Sequence, residues 1–339
     1  MRRLLPLAAI CLLAALPPAL ASAQNAQGEQ GAPAAPATLR EGWAELVQRA
    51  NAAYNEGKYD QASALYVQAI QLDPRGPDAY RNYARALFWS GDYPAALAYY
   101  DLYLVTFPQA PDVEQLRKER KLTSARTSEP WKLPAAQAAA YVALKADLVT
   151  ARGYSRGGGG AWKTYQTLLA TGYAHPELIG LQRELAQKLL DEHDALCAST
   201  AEAPIPALDL DGWALQRERL DAARRVADAE QAALIARRLL ISQAAEQMLL
   251  GRYEQAAKQA AEAADANPDI LFLDLMHVTA LLHTNQVDQA LSVLERTSSQ
   301  LKRSNPALLP YASSLHLLIL QRLGRHDDAA KLAATLLIQ

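Results

Sequence analysis

Cysteine is nearly absent from this chain of 339 residues: Cys11 and Cys197 are its two thiols. Cys11 lies in an N-terminal apolar run that is expected to be removed. One thiol then remains, which excludes an internal disulfide framework, and burial is the expected state of Cys197. Glycine (16) and proline (18) are modest in number, and β-branched residues are sparse, which argues against a protein built of strands. An excess of charge is also missing. Thirty-four basic residues face 36 acidic ones, for a net charge of -2, so the strong basic field that a nucleic-acid partner requires is not there. What the chain has in quantity is alanine and leucine, both good helix formers, in a composition that is 50% apolar. The expected class is all-α.

The N-terminus has the parts of a secretory signal. Arg2 and Arg3 supply the positive region, Leu4 to Leu20 the apolar region, and Ala21-Ser22-Ala23 the small residues of a cleavage site before Gln24. Pro6, Pro17 and Pro18 interrupt the apolar run, which speaks against a retained membrane anchor. A lipoprotein is excluded because Cys11 lies mid-run behind Ile10. Residues 1–23 are therefore expected to be a cleaved signal peptide, and the protein to be periplasmic or secreted. Residues 24–38, QNAQGEQGAPAAPAT, have no apolar periodicity and are expected to form a disordered tether.

Two arrays repeat with a fixed period. Gly57, Tyr59, Ala62, Tyr66, Ala69 and Pro74 are each followed 34 residues later by Gly91, Tyr93, Ala96, Tyr100, Tyr103 and Pro108. Near the other end, GRYEQAAKQAAEAADANP carries Gly251, Tyr253, Ala256, Ala260, Ala263 and Pro268 at the same offsets. Asn285, Val287, Ala290 and Leu294 repeat that unit, and Gly324 and Ala329 open a last one after a short insertion near Ser304-Asn305-Pro306. The pattern resembles the tetratricopeptide repeat, whose unit is two antiparallel helices. The resemblance covers 43–108, 237–303 and 310–339. It implies an α-solenoid in which Gly57 and Gly91 turn between helices, Ala62 and Ala96 let them approach, Tyr66 and Tyr100 fill the gap, and Pro74 and Pro108 stop the second helix. Ala50 and Ala84 stand where the family has glycine.

The expected organisation is a repeat pair over 39–110, an irregular helical section of degenerate repeats over 111–236, and a C-terminal array over 237–339. Within the middle, 113–122 reads as a short amphipathic helix closing the first array. Residues 133–154 and 161–176 read as one degenerate repeat split by Gly157–Gly160, 176–196 as a helix and 203–212 as a loop. From Trp213 to Leu250 the pattern is helical almost without a break, as one long helix or as two with an unlocated bend. A continuous superhelix is favoured over two arms on a hinge.

Chemistry-bearing motifs are few. His175, His193, His277, His283, His316 and His326 have no metal-ligand spacing, so neither metal nor cofactor is implied. The run from Gly157 to Thr164 resembles a phosphate loop, but Trp162 precedes Lys163 where that loop needs glycine. The basic run Arg117, Lys118, Arg120, Lys121 has Glu114 and Glu119 interleaved and reads as a solvated helix face. No catalytic set can be assigned, and the expected protein is not an enzyme.

In tetratricopeptide proteins the concave groove is lined by the first helix of each unit. Carried over, those positions are Val47, Asn51, Tyr54 and Asn55, then Asp78, Arg81, Arg85, Phe88 and Trp89. Asn51, Tyr54, Asn55, Arg81, Arg85, Phe88 and Trp89 are the candidate binding residues. They mix amides, guanidinium groups and aromatic faces, which suits an extended peptide with a carboxylate or a sugar chain stacked on Trp89. A carboxylate clamp of the kind some members carry is matched at Asn51 and Asn82 but not at Val47, where lysine is expected. Nine of the fifteen tyrosines lie between Tyr54 and Tyr103, and residues 81–104 are similar to repeats in the periplasmic halves of outer-membrane exopolysaccharide exporters.

The leading expectation is thus an exported, non-catalytic scaffold that binds protein or peptide partners of the cell envelope. Two alternatives stand beside it: a polysaccharide-guiding subunit of an export or envelope assembly, and an enzyme with its site in 111–236. The final helix pair carries Leu315, Leu317, Leu318, Leu336, Leu337 and Ile338 round much of its surface. That end is expected to dock on a second copy or a partner, or else to be covered by the middle helices folding back.

Overall fold

The computed structural model describes residues 37–157, 159–198 and 208–338. The expected signal peptide, and the tether up to Pro36, lie outside them. Ala37 and Thr38, read above as tether, instead open the first helix. Alanine is the best helix former, and the apolar face containing Trp43, Leu46 and Val47 begins within two turns.

Among the described residues the chain is all-α and runs as consecutive antiparallel hairpins. The first array is α1 (Ala37–Asn55), α2 (Tyr59–Leu72), α3 (Pro77–Ser90), α4 (Tyr93–Thr106) and α5 (Val113–Ser124). The middle is α6 (Ala135–Thr150), α7 (Ala161–Ala170), α8 (Leu178–Ala198), α9 (Leu210–Val226) and α10 (Ala229–Leu249). The last helices are α11 (Tyr253–Ala266), α12 (Phe272–His283), α13 (Val287–Ser304), α14 (Leu309–Arg322) and α15 (His326–Ile338). None of these helices is long and apolar enough to cross a membrane.

The alanines with the repeat spacing do what small side chains at that spacing allow. Ala62, Ala96, Ala256 and Ala290 are fully buried in the seams between paired helices, where a larger side chain would force the backbones apart. Tyr66 and Tyr100 are buried with them. The turns are set by backbone sterics. Gly57, Gly91, Gly251 and Gly324 have φ of 78°, 91°, 69° and 70°, and Asn285, at the corresponding place, has φ 60°. A Cβ on any of those four glycines would meet no atom within 4 Å. Backbone conformation, not space, is therefore what selects glycine, and asparagine is the residue that tolerates the left-handed region next best.

The unlocated bend in 213–250 falls at Ala227, whose ψ of 146° breaks the helix between α9 and α10. Asp228 then caps α10: its carboxylate accepts from the Gln231 amide at 2.9 Å while the Gln231 side chain accepts from the Asp228 amide. This is a capping box, and Asp228-Ala-Glu-Gln231 is its sequence signature. The helix that follows the glycine-rich stretch has its first two amides already used. The Ala161 and Trp162 amides donate to the carbonyls of Arg152 and Gly153 at 2.9 and 2.8 Å, so the first turn of α7 is not a phosphate cradle.

The middle section packs on the first array. Gln71 at the end of α2 donates to the carbonyls of Leu169 and Tyr173, and Gln182 on α8 donates back to the Gln71 carbonyl. One apolar core runs continuously from Ala69 to Leu239. A second contains Cys197, Trp213 and Ile241 and runs on to Ile319. Both include side chains of α10: Ile235 and Leu239 lie in the first, Ile241, Ala244 and Ala245 in the second. At the C-terminal end α14 packs on α12 and α13, and α15 on α14, while α9 and α10 pack on each other and on α8 and α11. Among the described residues the middle helices therefore do not fold back over the end, and Leu318 stays 40% exposed. Nothing is described of the Leu337 and Ile338 side chains.

Asn285 offers a test of the turn argument, because its side chain is exposed. Asn285→Gly is expected to leave stability unchanged or slightly raised, whereas Asn285→Ala should cost about 1 kcal/mol, read from urea unfolding midpoints. Equal stability of the two variants would show that φ at this turn is not the constraint.

Candidate functional site

The first helices of the N-terminal array, α1, α3 and α5, lie side by side and wall a concave groove of ≈ 670 Å³. All seven candidate residues line it: Asn51, Tyr54 and Asn55 from α1, and Arg81, Arg85, Phe88 and Trp89 from α3. Of the other two carried-over positions, Val47 packs against the apolar core and Asp78 pairs with Arg81 at 2.7 Å.

The third wall falls outside the expected pair at 39–110. Gln115, Glu119, Leu122 and Thr123 of α5 also line the groove, and each stands 34 residues beyond a matching residue of α3: Arg81, Arg85, Phe88 and Trp89. Helix α5 is thus the first helix of a third unit. Continuing the 34-residue step from Arg85 finds Glu119, a signal present in the sequence and obscured by the basic residues around it. Of that run, Arg120 pairs with Asp101 of α4 at 2.7 Å and Arg117 pairs with Glu114.

The groove floor holds two hydrogen-bonded polar clusters. Asn51 accepts through Oδ1 from the Tyr66 hydroxyl at 2.6 Å and from the Asn82 amide at 3.0 Å. Arg85 donates through Nε and Nη2 to both carboxylate oxygens of Glu119, at 2.9 and 2.7 Å. Glu119 also accepts from Tyr100 at 3.2 Å and from Gln115 at 3.0 Å. Arg81 donates to Asp112 at 2.7 Å, and Tyr103 donates to the same carboxylate at 2.6 Å. The tyrosines expected to fill the gap between helices do so, and their hydroxyls emerge at the groove floor.

Burial sets the titration of these groups. It pushes the Glu119 carboxyl up, but the Arg85 fork with the Gln115 and Tyr100 donors outweighs it and holds the pKa below the usual glutamate value. Asp112 behaves likewise, with Arg81 and Tyr103 overcoming its burial. Burial, reinforced by the nearby Tyr54, pushes the Tyr66 hydroxyl up to about 12. Floor and walls are thus fixed in one charge state near neutrality.

One end of the groove is an aromatic shelf. Trp89 is 58% exposed, stacks on Tyr59 at 6.1 Å and 21°, and meets Phe88 edge-on at 5.5 Å. Part of this arrangement is repeat packing. Tyr253 and His283, at the same offsets in the last array, also stack, at 4.0 Å and 9°. The polar part is not repeated. The positions matching Asn51, Tyr54, Asn55, Arg85 and Phe88 are Ala245, Met248, Leu249, Thr279 and Leu282.

A smaller cavity of ≈ 260 Å³ borders the end of the middle section, between Asp194, Cys197, Arg238, Asp269 and Phe272. Its two acids are both held by Arg238, which bonds Asp194 at 2.8 and 3.1 Å and reaches Asp269 at 3.5 Å. Arg238 also donates to Asn267 at 2.6 Å. The result is a staple between α8, α10 and the turn before α12. Burial pushes the Cys197 thiol up to about 12, which keeps it a thiol.

The class defined by these features is a helical-repeat solenoid with a polar and aromatic concave groove. Residues 47–111 match the tetratricopeptide repeat family, so the chain carries tetratricopeptide repeats over that stretch. No curated protein matches it. Among solved structures, the TPR2AB domain of yeast Sti1 in its pHSP90 complex is 14% identical, with 82% of this chain and 98% of that one covered and a TM-score of 0.26. The assembly chaperone of RpL4 (Acl4, residues 1–338) is 16% identical, with 85% and 99% covered and a TM-score of 0.23.

The Glu119 and Asp112 pairs predict an acid limit. A carboxylate whose folded pKa is depressed contributes stability that is complete above its unfolded value and is lost as pH falls through the folded one. Melting temperature is expected to fall from about pH 5 towards pH 3, and less steeply in Glu119→Gln/Asp112→Asn than in the parent. Parallel pH profiles would show that these pairs do not link folding to protons.

Proposed function

We propose that this chain is an exported, non-catalytic scaffold that holds a segment of an envelope protein in the groove formed by α1, α3 and α5. The observation that carries the reading is the groove itself. It spans three successive first helices, it is preorganised by two hydrogen-bonded polar clusters, and it ends in an indole that is more than half exposed. Side chains already locked by their partners lose little freedom when a ligand arrives, so more of the contact energy appears as affinity. The opening also suits an extended chain, which crosses several repeats and gains a little from each.

Trp89→Ala is expected to weaken capture of a bound segment by at least ~10-fold, about 1.4 kcal/mol, because exposed aromatic anchors dominate such surfaces. Its thermal stability should change little, since one indole face is already in water. Titration calorimetry and melting curves check the two halves separately. Unchanged affinity in a folded variant would remove the groove from the function.

Export is supported by the charge, apolar run and small-residue triplet of residues 1–23. The mature chain from the native host is expected to begin at or near Gln24 and to be recovered outside the inner membrane. An intact mass that retains the first 23 residues, in protein from the cytosol, would end the envelope assignment.

A further inference from the structure

We infer that the groove selects an internal, proline-rich, extended segment, in place of a chain terminus or an acidic peptide; this rests on the reading of the groove as a protein-binding surface. The first reason is charge. The two guanidinium groups that would attract a carboxylate are already committed. Arg81 spends Nε on Asn82, Nη1 on Asp112 and Nη2 on Asp78. Arg85 spends Nε and Nη2 on Glu119. Of the three carboxylates that hold these two cations, Glu119 lines the groove and Asp78 and Asp112 stand behind Arg81 outside the lining, so each guanidinium already has its counter-charge. An incoming carboxylate would find only Arg85 Nη1 open to it, beside the like charge of Glu119, which already holds four hydrogen bonds from Arg85, Gln115 and Tyr100. A terminal carboxylate is therefore disfavoured by the same residue pattern that, in sequence, suggested one.

The second reason is the balance of donors and acceptors. Because Asn51 Oδ1 accepts two hydrogen bonds, its orientation is fixed and its Nδ2 group is left to donate. Arg85 Nη1 and the exposed Asn55 amide add further donors on the lining. The carboxylate oxygens at hand, on Glu119 and Asp112, are each accepting already. At its floor, where Asn51 Oδ1 and the Glu119 oxygens are already accepting, the groove is left with donors that call for carbonyl oxygens. A polyproline II backbone presents carbonyls with no internal hydrogen bonds, and its prolines bring no N–H that would need an acceptor.

The third reason is shape. Tyr54, Phe88 and Leu122 form one row with the 34-residue spacing, and Asn55, Trp89 and Thr123 the next. Leu122 is 66% exposed. Flat aromatic and apolar faces beside amide donors are what proline rings dock against in grooves that read proline-rich segments.

The test uses the mature chain and fluorescence anisotropy with four labelled probes. These are a short amidated peptide of alternating proline and alanine, an amidated Gly-Ser peptide of equal length, an acidic peptide with a free C-terminal carboxylate, and a neutral oligosaccharide. The Pro-Ala peptide is expected to bind at least ~10-fold more tightly than the other two peptides, and Trp89→Ala should erase that margin. Glu119→Gln, which releases Arg85, should tighten the acidic peptide and not the Pro-Ala one. Equal binding of the Gly-Ser peptide, or preference for the acidic one, overturns the proline inference. In those cases Trp89-dependent binding of any peptide would still uphold the protein-binding reading. Binding of the oligosaccharide alone, or of no probe, overturns both.

Discussion

Everything in this molecule depends on how closely two helices can approach within a hairpin. Ala62, Ala96, Ala256 and Ala290 are fully buried at equivalent places in four hairpins. Each keeps the seam narrow enough for the next residue in the pattern to reach across it. In the first array that residue is tyrosine. Its ring fills the seam and its hydroxyl, carried to the far side, meets Asn51 or Glu119. A wider seam would leave the ring loose and the hydroxyl short of its partner. The bias of the composition, fifteen tyrosines against three phenylalanines, follows in part from this geometry. Phenylalanine would fill the same space and take one hydrogen-bond donor each from Asn51, Glu119 and Asp112, a cost at half-buried polar groups.

The same hairpin repeat yields a site at one end of the chain and none of the same kind at the other. In the last array the matching second-helix positions are Ala260 and Leu294 in place of Tyr66 and Tyr100, so these positions send no hydroxyl to the concave side. The first-helix positions follow suit. Thr279 turns its hydroxyl to its own helix, at the Leu275 carbonyl, and to Tyr311, and Leu282 is buried. Helix α12 is apolar on nearly every side and spends its surface on packing. Polarity of the concave face, not the solenoid geometry, is what separates a groove from a filled core here.

Much of the fold was readable because it rests on local, periodic chemistry. Glycine or asparagine at 57, 91, 251, 285 and 324 marks the turns directly, since few residues tolerate that backbone. The seven groove residues came from the resemblance, by carrying the family's groove positions onto this sequence, and they share one face because repeats place equivalent residues alike. What was missed depends on relations that spacing does not show by itself. The guanidiniums of Arg81 and Arg85 were read as available to a ligand. Their partners Asp112 and Glu119 lie 31 and 34 residues on, at the start of and within a helix whose lysines and arginines hid its place in the register. The break at Ala227 was missed because both flanking segments share one helical pattern. The Asp228–Gln231 box that marks it is a two-residue signal inside a long run of helix formers.

The position of α10 bears on how the groove is held. Its first half packs into the core that reaches back to Ala69, and its second half into the core that reaches on to Ile319. A single 21-residue helix is therefore shared by both cores, and bending between them would have to break α10 or strip one core from it. Arg238, mid-helix, adds charged contacts to α8 and to the turn before α12 at the same point. Hinged arms need a segment with few buried contacts where they join, and α10 is the reverse of that. The last array is thus joined to the helices that support the groove through a packed helix, with no sparsely packed segment between the two cores.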